Sequence, residues 1–393
     1  MFSMQELQRR TERFLDESAG EMAAFSDFLG HHPELPAEEY ESSRRFVGVL
    51  RENGFEVEFP FLGIETAFMA KKRRGEGGVV ALLAEYDALP EIGHACGHNL
   101  HGTLSLYAGL ALGQAVEETG GEAWVVGTPA EEADGAKSPM ADAGVFDGVD
   151  LAMMVHASGG TTWTDYRSLA LHGYDITFRG KTAHAAAAPW DGRNALNGAK
   201  LFLVAMDMLR QQARPETRMY GIITNGGSAV NVIPDRAACR VEVRAPEKSG
   251  LDELMAQVFD CARGAAIATG TSVEWAKYLQ SFDDMRPNPA AEALVKEMLE
   301  AQGFPCSPGP GAMGSTDVGN VSYRCPAIQP MMAITERPLA LHTREFAEAT
   351  FTPEAHDALL RGAKALAATG LRVLSDPALR DRIRADFVHI HMK

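Results

Sequence analysis

Nine consecutive residues, Gly93 to His101 (GHACGHNLH), carry one thiol and three imidazoles directly after an apolar run that reads as a strand. Cys96 and His98 are separated by a single residue. A thiolate and an imidazole held that close suit a zinc-like ion. A structural zinc site would need a second Cys or His pair at a matching spacing. None of Cys239, Cys261, Cys306 and Cys325 supplies one. The other ligands must come from distant parts of the chain, as they do in catalytic metal sites.

The elements that would position them can be read from periodicity. Residues 4–30 and 38–53 read as helices, the second stopped by Asn53-Gly54. Short strands follow at 55–59, 66–71 and 78–84, then a small-residue helix at 104–116 and strands at 122–126 and 151–155. This alternation predicts an α/β fold, with a mixed, mostly parallel sheet and helices on both faces. In such sheets ligands bind beyond the carboxyl ends of the strands. The run 78–84 leads to Asp87 and the Cys/His loop. The run 122–126 leads to Glu131-Glu132, and 151–155 leads to His156. A later strand, 328–334, leads to the loop carrying His342. Cys96, His98, Glu131, Glu132, His156 and His342 are thus delivered to one edge. Alone, each has a plain structural reading: a packed His, a solvated Glu pair, a small core Cys. Together they suggest a metal site. One of the two adjacent Glu would bind metal while the other carries a proton, and spacing alone does not say which does which.

Near residue 169 the pattern changes. A strand at 169–178, a helix at 193–212, strands at 218–223 and 237–244, a helix at 250–268 and a strand at 271–278 spell β-α-β-β-α-β. Helices at 290–302 and 353–373 follow, with the strand 328–334 between them. The expected organisation is a catalytic domain, 1–170 and 285–393, interrupted by a ferredoxin-like α+β dimerisation or lid domain, 171–284. Its edge strand could pair with its own copy in a homodimer, which symmetry would make isologous.

Bulk composition narrows the partners. The 393 residues carry a net charge of −16, which argues against nucleic acid and anionic membrane. No apolar run is long enough to span a bilayer, and the charged N-terminus lacks a signal-peptide core. Five scattered Cys form no disulfide framework, so a reducing cytoplasm is the expected setting.

The segments AEYDALP, GHACGH, GTPAEE, GKTAHAAAAPWDGRNAL, NVIPD, GSTDVGNV and LHTREF, in this order, resemble the landmarks of the two-metal aminoacylase and glutamate-carboxypeptidase-type peptidase family. The resemblance runs over nearly the whole chain. It is strongest to the amidohydrolase branch, in which a Cys replaces a bridging carboxylate. Within that branch the wording is most like the B-type subunits of p-aminobenzoyl-glutamate hydrolase and the dipeptidase-like members grouped with them. It implies Cys96, His98, Glu132, His156 and His342 as metal ligands, Glu131 as general base, and Asp87 as the carboxylate that orients a ligand. It also implies that His184 reaches a partner subunit's site to support the oxyanion, and that Asn231 and Arg244 bind the substrate carbonyl and carboxylate. The implied cofactor is a divalent metal, two ions per subunit, zinc or manganese with cobalt as a further choice. Two departures stand out: Asn99 where many relatives carry Asp, and Asp134 where they have a glycine-rich loop.

The expected function is metal-dependent hydrolysis of the amide bond of an N-acyl amino acid, a p-aminobenzoyl-glutamate or a short dipeptide bearing a free carboxylate. Two alternatives stay open from the sequence. One is a non-catalytic or partner-dependent metal-binding subunit of a hydrolase complex. The other is a thiol hydrolase using Cys96 with His94 or His98 as base.

Overall fold

The computed structural model describes residues 2–391. By contacts the chain divides into two compact units. The first runs up to Arg167 and includes Met285–Met313 and the chain from Asp317 onward; the second comprises Ser168–Asp284 and Gly314–Thr316.

In the first unit α1 (Met4–His31) and α2 (Tyr40–Glu52) precede β1 (Glu56–Glu58), β2 (Phe68–Arg74) and β3 (Val79–Ala84). Then come α3 (His98–Thr119), β4 (Gly121–Gly127), α4 (Lys137–Asp142), β5 (Leu151–Met153) and β6 (His156–Ser158). Ser3 and Glu6 form a reciprocal capping box that starts α1. A six-stranded sheet has the order β1-β2-β4-β3-β5-β11. Its centre is parallel; on one side β2 pairs antiparallel with β4, and β1 pairs antiparallel with β2. The near-continuous apolar run of β3 follows from burial on both faces. Val80, Leu82 and Ala84 enter one core with α1 and α3, whereas Ala81 and Leu83 enter the other with α4.

The second unit contains β7 (Ala170–Arg179), α5 (Ala195–Leu209), β8 (Arg218–Asn225), β9 (Arg236–Ala245), α6 (Lys248–Thr269) and β10 (Ser272–Lys277). Its antiparallel sheet has the order β10-β7-β9-β8, the ferredoxin-like arrangement. Phe178 and Ile176 of β7, Val241 and Val243 of β9, and Phe202, Leu254 and Val258 of the two helices make its core. β8 is an edge. It leaves Ile222 and Ile223 exposed, as α5 does Leu201, Val204 and Met208.

The chain returns through α7 (Pro289–Ala301), α8 (Val318–Ser322), β11 (Ala327–Ile328), β12 (Met331–Ala333), α9 (Arg344–Ala349), α10 (Pro353–Ser375) and α11 (Pro377–His391). Three expectations are corrected. α3 begins at His98, six residues before the expected start. Gly97 is left-handed at φ 80° and turns the chain into the helix. The expected strands 151–155 and 328–334 each split in two. β5 and β11 pair in the large sheet, while β6 and β12 pair separately. Pro330, which has no N–H to offer a ladder, marks the second break, and its carbonyl accepts from His156 N at 2.8 Å. Finally, α11 was not expected. Its start is set by Asp376, whose side chain accepts from Leu379 N, and by Pro377 at the first helical position.

Candidate metal centre

The ends of β3, β4 and β5 carry the chemistry, as the strand-end argument requires. The loop from Gly93 to Gly97 sets Cys96 in a buried position, and the first turn of α3 supplies His98. Only glycine fits at 97. A Cβ there would lie 2.6 Å from the Ala157 Cβ, besides the strain of φ 80°. Gly102, one turn on, lets α3 approach β3 so closely that a Cβ would meet the Glu85 carbonyl oxygen at 2.0 Å.

Five residues form a connected set. Cys96 Sγ lies 3.4 Å from His156 Nε2. Cys96, His98 and Glu132 bring ligand atoms within 4.8 Å of one another. His98 Nε2 lies 3.9 Å from Glu132 Oε1, and His342 Nε2 lies 3.3 Å from the same oxygen. His342 has a left-handed backbone at φ 61°, tied by its N–H to the Ala95 carbonyl at 2.9 Å. Asp87 joins two of them. One oxygen meets His98 Nδ1 at 2.9 Å, and the other accepts the Glu132 amide at 3.0 Å. This leaves Nε2 as the His98 atom that faces Glu132 and, at 3.5 Å, Glu85.

The set fits a cation. His98 Nε2 and Glu132 Oε1 are buried, yet neither makes a hydrogen bond of proper geometry. Buried polar atoms are rarely left so. His156 shows the same preparation: its Nδ1 lies 2.8 Å from the Ala157 carbonyl, which leaves the Nε2 lone pair toward Cys96. His101 is different. Its Nδ1 accepts from Ala157 N at 3.2 Å, so its Nε2 carries the proton and donates to Glu85 at 3.0 Å. With both nitrogens committed it supports Glu85 rather than offering a lone pair.

Electrostatics separates the two adjacent glutamates. Burial, then Glu85, Glu132 and Asp317, pushes the Glu131 carboxyl well above the usual range. For Glu132, burial works upward but His342 and His98 outweigh it, and its pKa falls to about 2. Burial and the neighbouring Glu132 raise the Cys96 thiol well above its ordinary value, and burial lowers His94 to about 3. A raised thiol beside a lowered His94 is not the profile of a thiolate nucleophile with His94 as its base.

The segment that carries both glutamates is itself held in place. Ala130 is left-handed at φ 60°, an uncommon state for alanine. Its amide donates at 2.8 Å to the buried Glu39, which also accepts from Ala37 N at 2.9 Å and from the Thr66 hydroxyl at 2.8 Å. Glu39 was not singled out in the sequence, nor were Glu85, Lys137 and Asp317, whose buried charges lie next to Glu131. Asn99 does not bear on the ligands: its amide donates to the Ser26 and Thr350 hydroxyls, binding α3 to α1. Asp134 is exposed on the loop after Glu132.

The remaining expected residues belong to the second unit. His184 and Asn231 lie on adjoining loops, joined by Ala185 N to the Asn231 carbonyl at 3.0 Å. His184 Nδ1 accepts from the amides of Ala186 and Ala187, both at 3.2 Å, so its exposed Nε2 carries a proton to donate. Arg244 on β9 donates to the Tyr220 hydroxyl at 2.8 Å and to Ser315 at 3.2 Å, and lies 3.4 Å from Glu242. A cavity of about 590 Å³ between the segment after α5, residues 212–217, and the first turns of α6 is lined by none of these residues.

Residues 169–269 match the peptidase dimerisation domain family M20_dimer. The chain is 36% identical to a Xaa-Arg dipeptidase of Mus musculus, over 97% of this chain and 92% of that protein. It is 28% identical to the B-type subunit of p-aminobenzoyl-glutamate hydrolase of Escherichia coli, over 96% and 94% of the two chains. Among solved structures, an aminobenzoyl-glutamate utilization protein from Klebsiella pneumoniae superposes with a TM-score of 0.74 at 19% identity, covering 92% of this chain and 98% of that one. A dinuclear metal-binding peptidase of the M20 family from Bacillus subtilis gives 0.66 at 22% identity, covering 91% and 99%.

Proposed function

The chain belongs to the M20 family of metallopeptidases and amidohydrolases and is a hydrolase of amide bonds; from that premise we propose that it is a dipeptidase, releasing a carboxyl-terminal amino acid with a basic side chain. The observation that carries the chemistry is the joined set Cys96, His98, Glu132, His156 and His342, with its two unbonded buried ligand atoms. The substrate class is supported by the likeness to Xaa-Arg dipeptidases along almost the whole chain.

Cys96, His98 and His156 would hold one divalent ion, and Cys96, Glu132 and His342 a second, zinc or manganese being the best suited to thiolate, imidazole and carboxylate donors. A divalent cation held there would supply Lewis-acid polarisation of the scissile carbonyl and of a water. Glu131 takes a proton from the attacking water and passes it to the departing amine. Its raised proton affinity lets it hold the proton between the two events. Asp87 keeps the His98 ring turned and fixes the Glu132 backbone. The Nε2 proton of His184, supplied by a second copy of the chain, hydrogen-bonds the oxygen that gains charge. Asn231 and Arg244 bind the carbonyl and the free carboxylate, the guanidinium in bidentate fashion.

We further propose that the chain acts as a homodimer formed through β8 and the apolar face of α5. A β8 edge exposing Ile222 and Ile223 is a pairing surface that a second copy would cover. Among the described residues no helix is long and apolar enough to cross a membrane, and the five cysteines are free, as in a reducing cytoplasm.

The test is amine release from dipeptides ending in Arg, Lys or Glu, from p-aminobenzoyl-glutamate and from N-acetyl amino acids, by protein loaded with zinc, manganese or cobalt. Turnover of the basic dipeptides above the rest is expected. Exclusive turnover of p-aminobenzoyl-glutamate or N-acetyl amino acids would contradict the substrate class, and silence with metal bound would favour a partner-dependent subunit.

A further inference from the structure

Lys137 opens α4 and is fully buried. A buried ammonium loses its hydration and persists only with close partners. Here its Nζ lies 2.7 Å from Glu85 Oε1 and 2.6 Å from Asp317 Oδ1, and its backbone amide donates to Asp317 Oδ2 at 3.0 Å. Glu85 and Asp317 are buried as well. Both stand against Glu131: the three residues bring carboxylate oxygens within 4.8 Å of one another. The remaining oxygen of Glu85 accepts from His101. Three carboxylates therefore crowd one point, with one ammonium among them.

Buried ion pairs contribute little net stability compared with apolar residues of the same volume. A purely structural purpose would not call for this cluster next to the residue that carries the proton. Like charges this close in a desolvated site repel strongly. Without a cation, Glu85 and Asp317 would drive the Glu131 carboxylate out of its place beside Glu132.

We propose that Lys137 is a positioning residue for Glu131, holding Glu85 and Asp317 and cancelling the repulsion they exert on it. The proposal rests on the assignment of Glu131 as proton carrier. Its test uses the full-length, metal-loaded protein and reads kcat and KM per metal-loaded subunit, with metal content measured alongside. Lys137→Met keeps the volume and removes the charge. It is expected to lower kcat by at least about tenfold, within the range of lost proton-transfer catalysis, with KM changed less than about twofold and metal content unchanged. The double variant K137M/D317N restores the net charge of the cluster, since one cation and one anion are removed together. It is expected to return kcat to within about threefold of the unaltered protein, which replacement of a merely packed lysine would not do. Unaltered kcat in K137M, a loss that follows metal content, or no recovery in the double variant overturns the proposal. Should K137M not fold, the charge-balanced double variant decides alone: kcat within about threefold supports the proposal, and a tenfold loss with metal retained overturns it. Glu131→Gln separates the two layers. Full turnover in E131Q removes the proton carrier itself, whereas an inactive E131Q beside a fully active K137M removes only the role of Lys137.

Discussion

Two adjacent glutamates are set apart by what surrounds each side chain. Glu132 faces His98 and His342 and stays an anion, a ligand's profile, whereas Glu131 faces carboxylates and keeps a proton readily. Replacing Glu131 by Gln is accordingly expected to lower turnover at least about a hundredfold while leaving the metal content per subunit unchanged. Parallel loss of metal would instead place Glu131 among the ligands. Glu39 gives a prediction of stability. Burial, then the neighbouring Asp87, raises its pKa from 4.5 to about 7. A carboxyl whose folded pKa stands above its unfolded value binds its proton more tightly in the folded chain. Its contribution therefore favours folding below about 4.5 and fades as pH rises through about 7. In Glu39→Gln the amide oxygen can still accept from Ala37 and Ala130, and the amide NH2 can donate to the Thr66 hydroxyl. The Tm of this variant relative to the unaltered protein is expected to climb by a few degrees between pH 5 and pH 8. A difference that is flat with pH would show that Glu39 does not titrate in this range.

At the scale of elements, the loops beyond the strand ends could be read in the sequence because each chemical residue follows an apolar run directly. The β3, β4 and β5 runs announce themselves by burial on both faces; His156 and Glu132 come three and five residues after β5 and β4, and Cys96 lies in the loop that leads from β3 into α3. The β-α-β-β-α-β order of the second unit was equally plain, since its amphipathic helices and strands alternate without insertions. What stayed hidden is physical in origin. Lys137 looks like any loop lysine, and its burial depends on Glu85 and Asp317, which lie 52 and 180 positions away. Asp317 sits in the recognisable GSTDVGNV segment, and Glu85 directly follows β3, so those two offered a signal. Glu39 acts through the strained backbone of Ala130, and strain leaves no trace in composition. The break between β5 and β6 was missed because Met154 and Val155 continue the apolar run while the chain changes sheets. The same scale predicts the pairing edge: Ile222→Glu on β8 should convert the proposed dimer to monomers in light scattering at micromolar concentration, with metal retained. A persistent dimer would mean that another surface holds the copies together.

For the whole molecule, a homodimer would explain why His184 presents a prepared donor, with Nδ1 satisfied by two amides and Nε2 exposed. His184→Ala is expected to lower kcat by about tenfold to a thousandfold with dimer and metal intact. Mixing it with the inactive E131Q should then restore about a quarter of the activity, because half of the dimers pair unlike chains and each of these regains one complete site. No recovery on mixing would place His184 in its own chain's site, or outside catalysis.

The most direct test of the account is hydrolysis of a Lys- or Arg-terminated dipeptide before chelation, after exhaustive chelation and after metal is returned, with metal per subunit measured at each stage. The account predicts loss of turnover on chelation, recovery on adding zinc or manganese, and no recovery in Cys96→Ala or His98→Ala. Turnover that survives complete removal of metal would contradict it.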